Sequence, residues 1–262
     1  MSELIQPTTL GRTGLKVGRL GVSSSYGMPA SAVERAFEMG MNYFYWGSIR
    51  RKGFAVGLRN LARHREQFVL VLQSYSPVAG FLRSSVERGL RKLGFDYADV
   101  LLLGMWNRPV PRRILDAVHG LRESGLVRHM AVSTHKRRLV AEQAARKEFD
   151  IFHVRYNAVH RGAETDVFPR LSDRARPGVV SFTATCWGQL LKKGRIPEGE
   201  RVPTAGDCYR FVLSNPGVDV CLTGLSSLEQ TEHALDSLRR GPMSIEDLAW
   251  MRRVGAALYG GR

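Results

Sequence analysis

The 262 residues carry 39 Lys and Arg against 24 Asp and Glu, a formal charge of +15, with 44% hydrophobic residues and three cysteines. That length suits one large domain, no apolar run approaches the roughly 18 residues of a membrane span, and Cys186, Cys208 and Cys221 lack metal-type spacing. A membrane-spanning protein, a disulfide scaffold and a zinc module are thereby excluded; the expectation is a cytoplasmic protein with free thiols, no metal site and no secretory signal in Met1 to Leu10.

In chain order, Thr9-Leu10-Gly11-Arg12-Thr13-Gly14-Leu15-Lys16-Val17 reads as a hairpin turning near Gly14. Eight short apolar runs then read as strands: Arg19 to Ser23, Asn42 to Trp46, Phe68 to Gln73, Asp99 to Gly104, His129 to Ser133, Ile151 to Tyr156, Val179 to Thr183 and Val218 to Thr223. Most are rich in Val, Leu, Ile and Phe, as strands covered on both faces are. Helical patterns lie between them. Ala32 to Met39, Phe81 to Leu93 and Ile114 to Ser124 each stop at a glycine, a common helix terminator. Ile245 to Leu258 reads as a C-terminal helix. Eight strand-helix units predict an α/β fold, a (β/α)8 TIM barrel with an N-terminal β-hairpin and a C-terminal helix, over residues 1–262 as a single domain. An open doubly wound sheet is the alternative, but no G-x-G-x-x-G turn follows the first strand.

The charge is an arginine excess, 32 Arg against 7 Lys, scattered over many of these helices. No aromatic-rich basic ribbon accompanies it, so nucleic acid is not an expected partner. Several basic residues fall just after strands, where a barrel gathers its functional groups: Arg50, Arg51 and Lys52; Arg108, Arg112 and Arg113; Lys136, Arg137 and Arg138. Converging on one mouth, they would form an electropositive funnel for an anionic substrate or a cofactor phosphate. A solvated rim is the plainer alternative.

Several segments resemble the aldo-keto reductase family in the right order: Leu10-Gly11-Arg12-Thr13-Gly14-Leu15, Asp96-Tyr97-Ala98-Asp99-Val100-Leu101-Leu102, Gly125-Leu126-Val127-Arg128 with Ala131-Val132-Ser133, Tyr156-Asn157, and Phe211 to Gln230. The resemblance implies a nicotinamide-dependent carbonyl reduction in which a tyrosine gives a proton, aided by aspartate, lysine and histidine. Here the aspartate and tyrosine places hold Tyr45 and Arg50, and the lysine and histidine places hold Gln73 and Gly104. On the cofactor side it assigns Ser133, Phe182, Thr183, Gly224, Ser226 and Gln230 to NADP or NAD. Free N–H groups at a helix start near Gly224 suit a phosphate. Thr134, His153 and Ala234 depart from the family's residues at that side, and no Lys or Arg lies between Thr223 and Gln230 to favour a 2′-phosphate.

The candidate catalytic residues are thus Tyr45, Arg50, Gln73 and His153, with the Tyr45 phenol, assisted by Arg50, as a displaced proton donor. Trp106 and Asn107 are further candidates for the pocket wall. Two functions are expected: an atypical oxidoreductase using NADP or NAD on a small substrate, an anionic one if the basic funnel forms, or a non-catalytic binding or regulatory protein on the same barrel.

Overall fold

The computed structural model describes residues 2–47, 49–171 and 175–260. Ser48, inside the Tyr45–Arg51 segment, lies outside them. Strands β1 (Thr8–Thr9) and β2 (Lys16–Val17) form the antiparallel hairpin, with Gly14 at φ 76° in the turn between them. Strands β3 (Leu20–Ser23), β4 (Tyr43–Trp46), β5 (Val69–Ser74), β6 (Ala98–Leu103), β7 (Val127–Thr134), β8 (Ile151–Arg155), β9 (Gly178–Phe182) and β10 (Val220–Thr223) follow. They pair in parallel around a closed barrel, β10 returning to β3. Around it run α1 (Ala30–Glu38), α2 (Lys52–Asn60), α3 (Leu82–Leu93), α4 (Arg112–Glu123), α5 (Arg137–Ala145), α6 (Ala163–Asp166), α7 (Ala205–Leu213), α8 (Leu228–Arg239) and α9 (Ile245–Gly260). All eight expected strands are present. The fourth stops at Leu103 and the seventh at Phe182, because Met105 (φ 59°) and Thr183 (φ 61°) turn the chain out of extended conformation at the mouth. Among the described residues no helix is long and apolar enough to cross a membrane.

Alternation along the strands decides what enters the barrel. Its interior is filled by Tyr43, Val69, Val71, Val100, Leu102, Ala131, Ile151, Val180 and Val220. Leu10 and Val17 of the hairpin join this cluster, and Arg12 N–H donates to the Arg176 carbonyl at 2.9 Å, so the hairpin plugs the N-terminal end. Two residues further along the strands, the same inward face reaches Tyr45, Gln73, Gly104, Ser133, His153, Phe182 and Leu222. The functional candidates are therefore the next layer of the barrel interior.

The N-terminal end is held by a repeated device. Asn42, Asp99, Asp150 and Asp219 stand at the starts of β4, β6, β8 and β10, and each side chain accepts a backbone N–H from the strand segment before it. The donors are Gly18 (2.9 Å), Leu70 (2.8 Å), Met130 (3.0 Å) and Val179 (2.8 Å). The carboxylates gather arginines: Arg65 at 2.8 Å and Arg128 at 3.4 Å from Asp99, Arg122 at 3.8 Å from Asp150, and Arg176 at 2.6 Å from Asp219. Part of the arginine excess is thus structural, at the end of a barrel where stability rather than chemistry resides.

Candidate active site

At the opposite end the strand termini surround one cavity of about 1060 Å³. Tyr45 comes from β4, Gln73 and Tyr75 from β5 and its loop, and Met105 from the loop after β6. Ser133 and His135 come from the end of β7, His153 from β8 and Phe182 from β9, with Thr183 to Thr185 just beyond it. Gly224 and Gln230 complete the wall beside α8.

The Tyr45 phenol donates to Gln73 Oε1. Burial, with the neighbouring Tyr75 adding to it, pushes the Tyr45 phenol well above its usual range, while Arg50 opposes the shift. Arg50 does not line the cavity. Its Nε donates to the Gly47 carbonyl at 2.9 Å and its Nη2 to the Gln73 carbonyl at 2.9 Å, so it braces the β4 and β5 ends from behind. The expected aid from Arg50 to a donating Tyr45 is therefore outweighed by burial. His153 Nε2 lies 2.9 Å from Tyr43 Oη, and burial pulls the imidazole down to about 3, so it is neutral at physiological pH. It is a polar floor to the cavity.

The cofactor-side candidates divide. Ser133 lines the cavity, and its Oγ accepts the Met105 N–H at 2.9 Å, holding the β6 loop in place. Phe182 packs edge-on to His135, ring centroids 5.9 Å apart. Thr183 sits in the left-handed region, uncommon for a β-branched residue, and its carbonyl accepts Asn157 Nδ2 at 2.7 Å and the Cys186 N–H at 2.8 Å. Cys186 (φ 50°) and Trp187 (φ 54°) continue this strained loop. Gly224 lines the cavity against Tyr26; a Cβ there would lie 2.6 Å from that ring. Ser226 does not line it. The Ser226 N–H and hydroxyl donate to Gln230 Oε1 at 2.9 and 3.0 Å, and the Gln230 N–H donates to Ser227 Oγ at 3.1 Å. The N–H groups of Ser226 and Gln230, expected to be open to a phosphate, are instead engaged within the turn.

The basic funnel is absent from this cavity. None of Arg50, Arg51, Lys52, Arg108, Arg112, Arg113, Lys136, Arg137 and Arg138 lines it. Arg112 pairs with Asp116 and Arg138 with Glu142 a turn along their own helices, and Arg137 with Asp166 of α6, at 2.7–3.0 Å, each pair formed at less cost than desolvating the arginine in the cavity. Arg240 is the formally cationic lining residue among those described, and it lies 3.4 Å from Asp207. Trp106 is buried outside the cavity, and Asn107 Oδ1 accepts the His135 N–H at 2.8 Å.

Sequence reasoning did not find the collar of Tyr26, Tyr75, Met105 and Trp187. All four line the cavity and are about half exposed. For Tyr75 a signal existed, since it stands two residues past Gln73 on the same alternation.

Residues 72–201 match the family model described as Aldo/keto reductase family. A curated relative, L-galactose dehydrogenase from Arabidopsis thaliana, is 24% identical, with 87% of this chain and 86% of that protein aligned. Among solved structures, an aldo-keto reductase from Bacillus halodurans in its holo form superposes with a TM-score of 0.79 at 17% identity, covering 95% of this chain and 96% of that one. An aldo/keto reductase from Klebsiella pneumoniae in complex with NADP and acetate gives 0.78 at 22% identity over 96% of each chain. Residues 72–201 thus match the aldo/keto reductase family model, and the whole chain has the barrel fold of those solved reductases.

Proposed function

We propose that this chain works as one barrel domain: an oxidoreductase that holds NADP or NAD in the mouth cavity and acts on a small neutral carbonyl, without the Asp, Tyr, Lys and His set the family resemblance implies. The observation that carries this is convergence. Ser133, Phe182, Thr183, Gly224 and Gln230, assigned to a dinucleotide from three separate segments, line one cavity together with Tyr45, Gln73 and His153.

The residues fit such a group. The volume suffices for a large cofactor, and His135, a lining residue, leaves its Nδ1 without a hydrogen-bond partner. Phe182 would stack on a nicotinamide, Ser133 and His135 would contact its carboxamide, and the Thr183–Gly188 loop would meet the phosphates. When bound, the dinucleotide supplies hydride. The Klebsiella relative, solved with NADP, supports the same reading.

The substrate end bears no formal charge. Tyr26, Tyr75, Met105 and Trp187 make an apolar collar, His153 is neutral, and the cation Arg240 belongs to the α8 side. An anionic substrate would lose its hydration here without gaining a partner, so a neutral aromatic or aliphatic carbonyl fits better. Tyr45, Gln73 and His153 are tied into hydrogen bonds of their own, an observation that favours the second reading, binding without turnover.

Thermal melting separates the classes. Saturating NADPH or NADH raises the midpoint by about 5–10 °C if present at about 100 times its dissociation constant; no shift with either defeats both the cofactor and the oxidoreductase. Turnover of neutral aldehydes with the same cofactors defeats the non-catalytic reading.

A further inference from the structure

We infer that Tyr75, rather than Tyr45, gives a proton to a carbonyl bound at this mouth, and that Gly104 is the residue that makes room for it. The inference rests on the oxidoreductase reading and names a catalytic residue for it.

Gly104 is the starting point. It has no positive φ, so its backbone conformation does not call for glycine. Its space does. A Cβ at Gly104 would lie 2.6 Å from Tyr75 Cε1 and 2.8 Å from Cδ1, and would also strike Gln73 Nε2. Real side chains do not approach so closely. The absence of a side chain at Gly104 is therefore what lets the Tyr75 ring lie across the end of β6, into the layer formed by Gln73 and Tyr45. The Gly104 N–H donates to the Ser74 carbonyl at 3.0 Å, fixing the two strand ends beside each other.

Two other proton carriers in the inner layer of the site, Tyr45 and His153, are committed. Tyr45 places its hydrogen on Gln73 Oε1, and burial opposes its ionisation. His153 is buried and neutral against Tyr43. Tyr75 differs from both: it lines the cavity while 49% of the residue is exposed, the combination a donor needs to meet a ligand on one side and solvent on the other. Tyr45 is its neighbour in the cavity wall. In the reduction, the carbonyl carbon gains a hydride, which carries the two electrons, from the reduced dinucleotide, which is oxidised. The C=O π bond opens, the oxygen takes the Tyr75 proton to form the alcohol, and the phenolate recovers a proton from water at the mouth. A donor supplied in this way contributes about 10²–10⁴-fold.

The test uses the full chain loaded with oxidised dinucleotide, with benzamide as a carbonyl probe that cannot be reduced, followed by calorimetry, and benzaldehyde turnover with the reduced dinucleotide. Tyr75→Phe is expected to weaken benzamide about tenfold, the loss of one hydrogen bond, and to lower kcat/KM at least about 100-fold, with dinucleotide affinity unchanged. Gly104→Ala, which pushes the ring aside, reproduces both losses; Tyr45→Phe loses less than either. Melting temperatures confirm that each variant is folded. Tyr75→Phe behaving as wild type in both assays, a larger loss in Tyr45→Phe, or loaded wild type that neither binds benzamide nor reduces benzaldehyde overturns the inference while leaving the cofactor reading standing. If the dinucleotide does not load at all, the oxidoreductase reading itself has failed and takes this one with it.

Discussion

Asp219→Ala is expected to destabilise the fold by about 3–5 kcal/mol, the cost of breaking a buried ion pair from one side, and to lower the melting midpoint by roughly 10 °C. Asp219 is buried at the start of β10. One of its oxygens accepts the Val179 N–H at 2.8 Å, and together they accept both Arg176 Nη groups at 2.6 and 2.9 Å. Removing the carboxylate leaves the Arg176 charge without its counter-ion and the Val179 N–H without this acceptor where β9 and β10 begin. Asp219→Asn keeps one acceptor for Val179 and so loses less. Arg138→Ala, which breaks an exposed pair with Glu142 along one helix, changes stability by no more than about 0.5 kcal/mol. Denaturant unfolding of the three variants measures this. If Asp219→Ala matches Arg138→Ala, the carboxylate device at the foot of the barrel does not hold it together.

Acid is the second large lever. The folded His153 titrates at about 3 because burial disfavours its charged form, whereas the unfolded imidazole titrates near 6.5. Between those values the unfolded chain binds a proton that the folded chain refuses, so stability rises with pH through this window and falls as pH drops. From pH 7 to pH 4 this one residue costs about 3 kcal/mol. His153→Gln keeps a hydrogen-bonding partner for Tyr43 and removes the titration. The variant should therefore lose about 3 kcal/mol less than wild type over the same interval, the other carboxylates and histidines being common to both. Equal losses would mean that His153 is solvated and protonated in the folded state, and that it is no neutral floor.

The barrel was legible because each strand shows as an apolar run and three of the intervening helices stop at a glycine. Alternation also carried the inner site. Tyr45, Gln73, Ser133, His153 and Phe182 share the inward face with the core residues two positions earlier, so finding the strand finds the residue. What alternation does not carry is the path of the chain after the strand ends. Arg112, Arg137 and Arg138 follow strands as a mouth residue should, yet they turn to carboxylates on the helices, Arg112 and Arg138 on their own and Arg137 on α6. Tyr75 and Trp187 go the other way, into the mouth. The left-handed residues Met105, Thr183, Cys186 and Trp187 turn the loops after β6 and β9, and nothing in their side chains marks a positive φ beforehand. The foot of the barrel was equally hidden. Asp99 and Asp219 were read as strand residues, and their roles appear only when Leu70 and Val179 are seen to donate to them. Electropositive composition thus reports the foot and flanks of the molecule more than its site.

Everything functional turns on whether a nicotinamide dinucleotide lies in the mouth cavity against Phe182. Trp187 lines that cavity, so excitation of tryptophan in a titration with NADH or NADPH reads occupancy and place together. Saturable energy transfer to the reduced nicotinamide is expected in the wild type, largely lost in Trp187→Phe, with affinity weakened about tenfold in Phe182→Ala through loss of ring stacking. A titration with no saturable transfer, or one that Trp187→Phe and Phe182→Ala both leave untouched, would place the dinucleotide elsewhere or nowhere on this barrel.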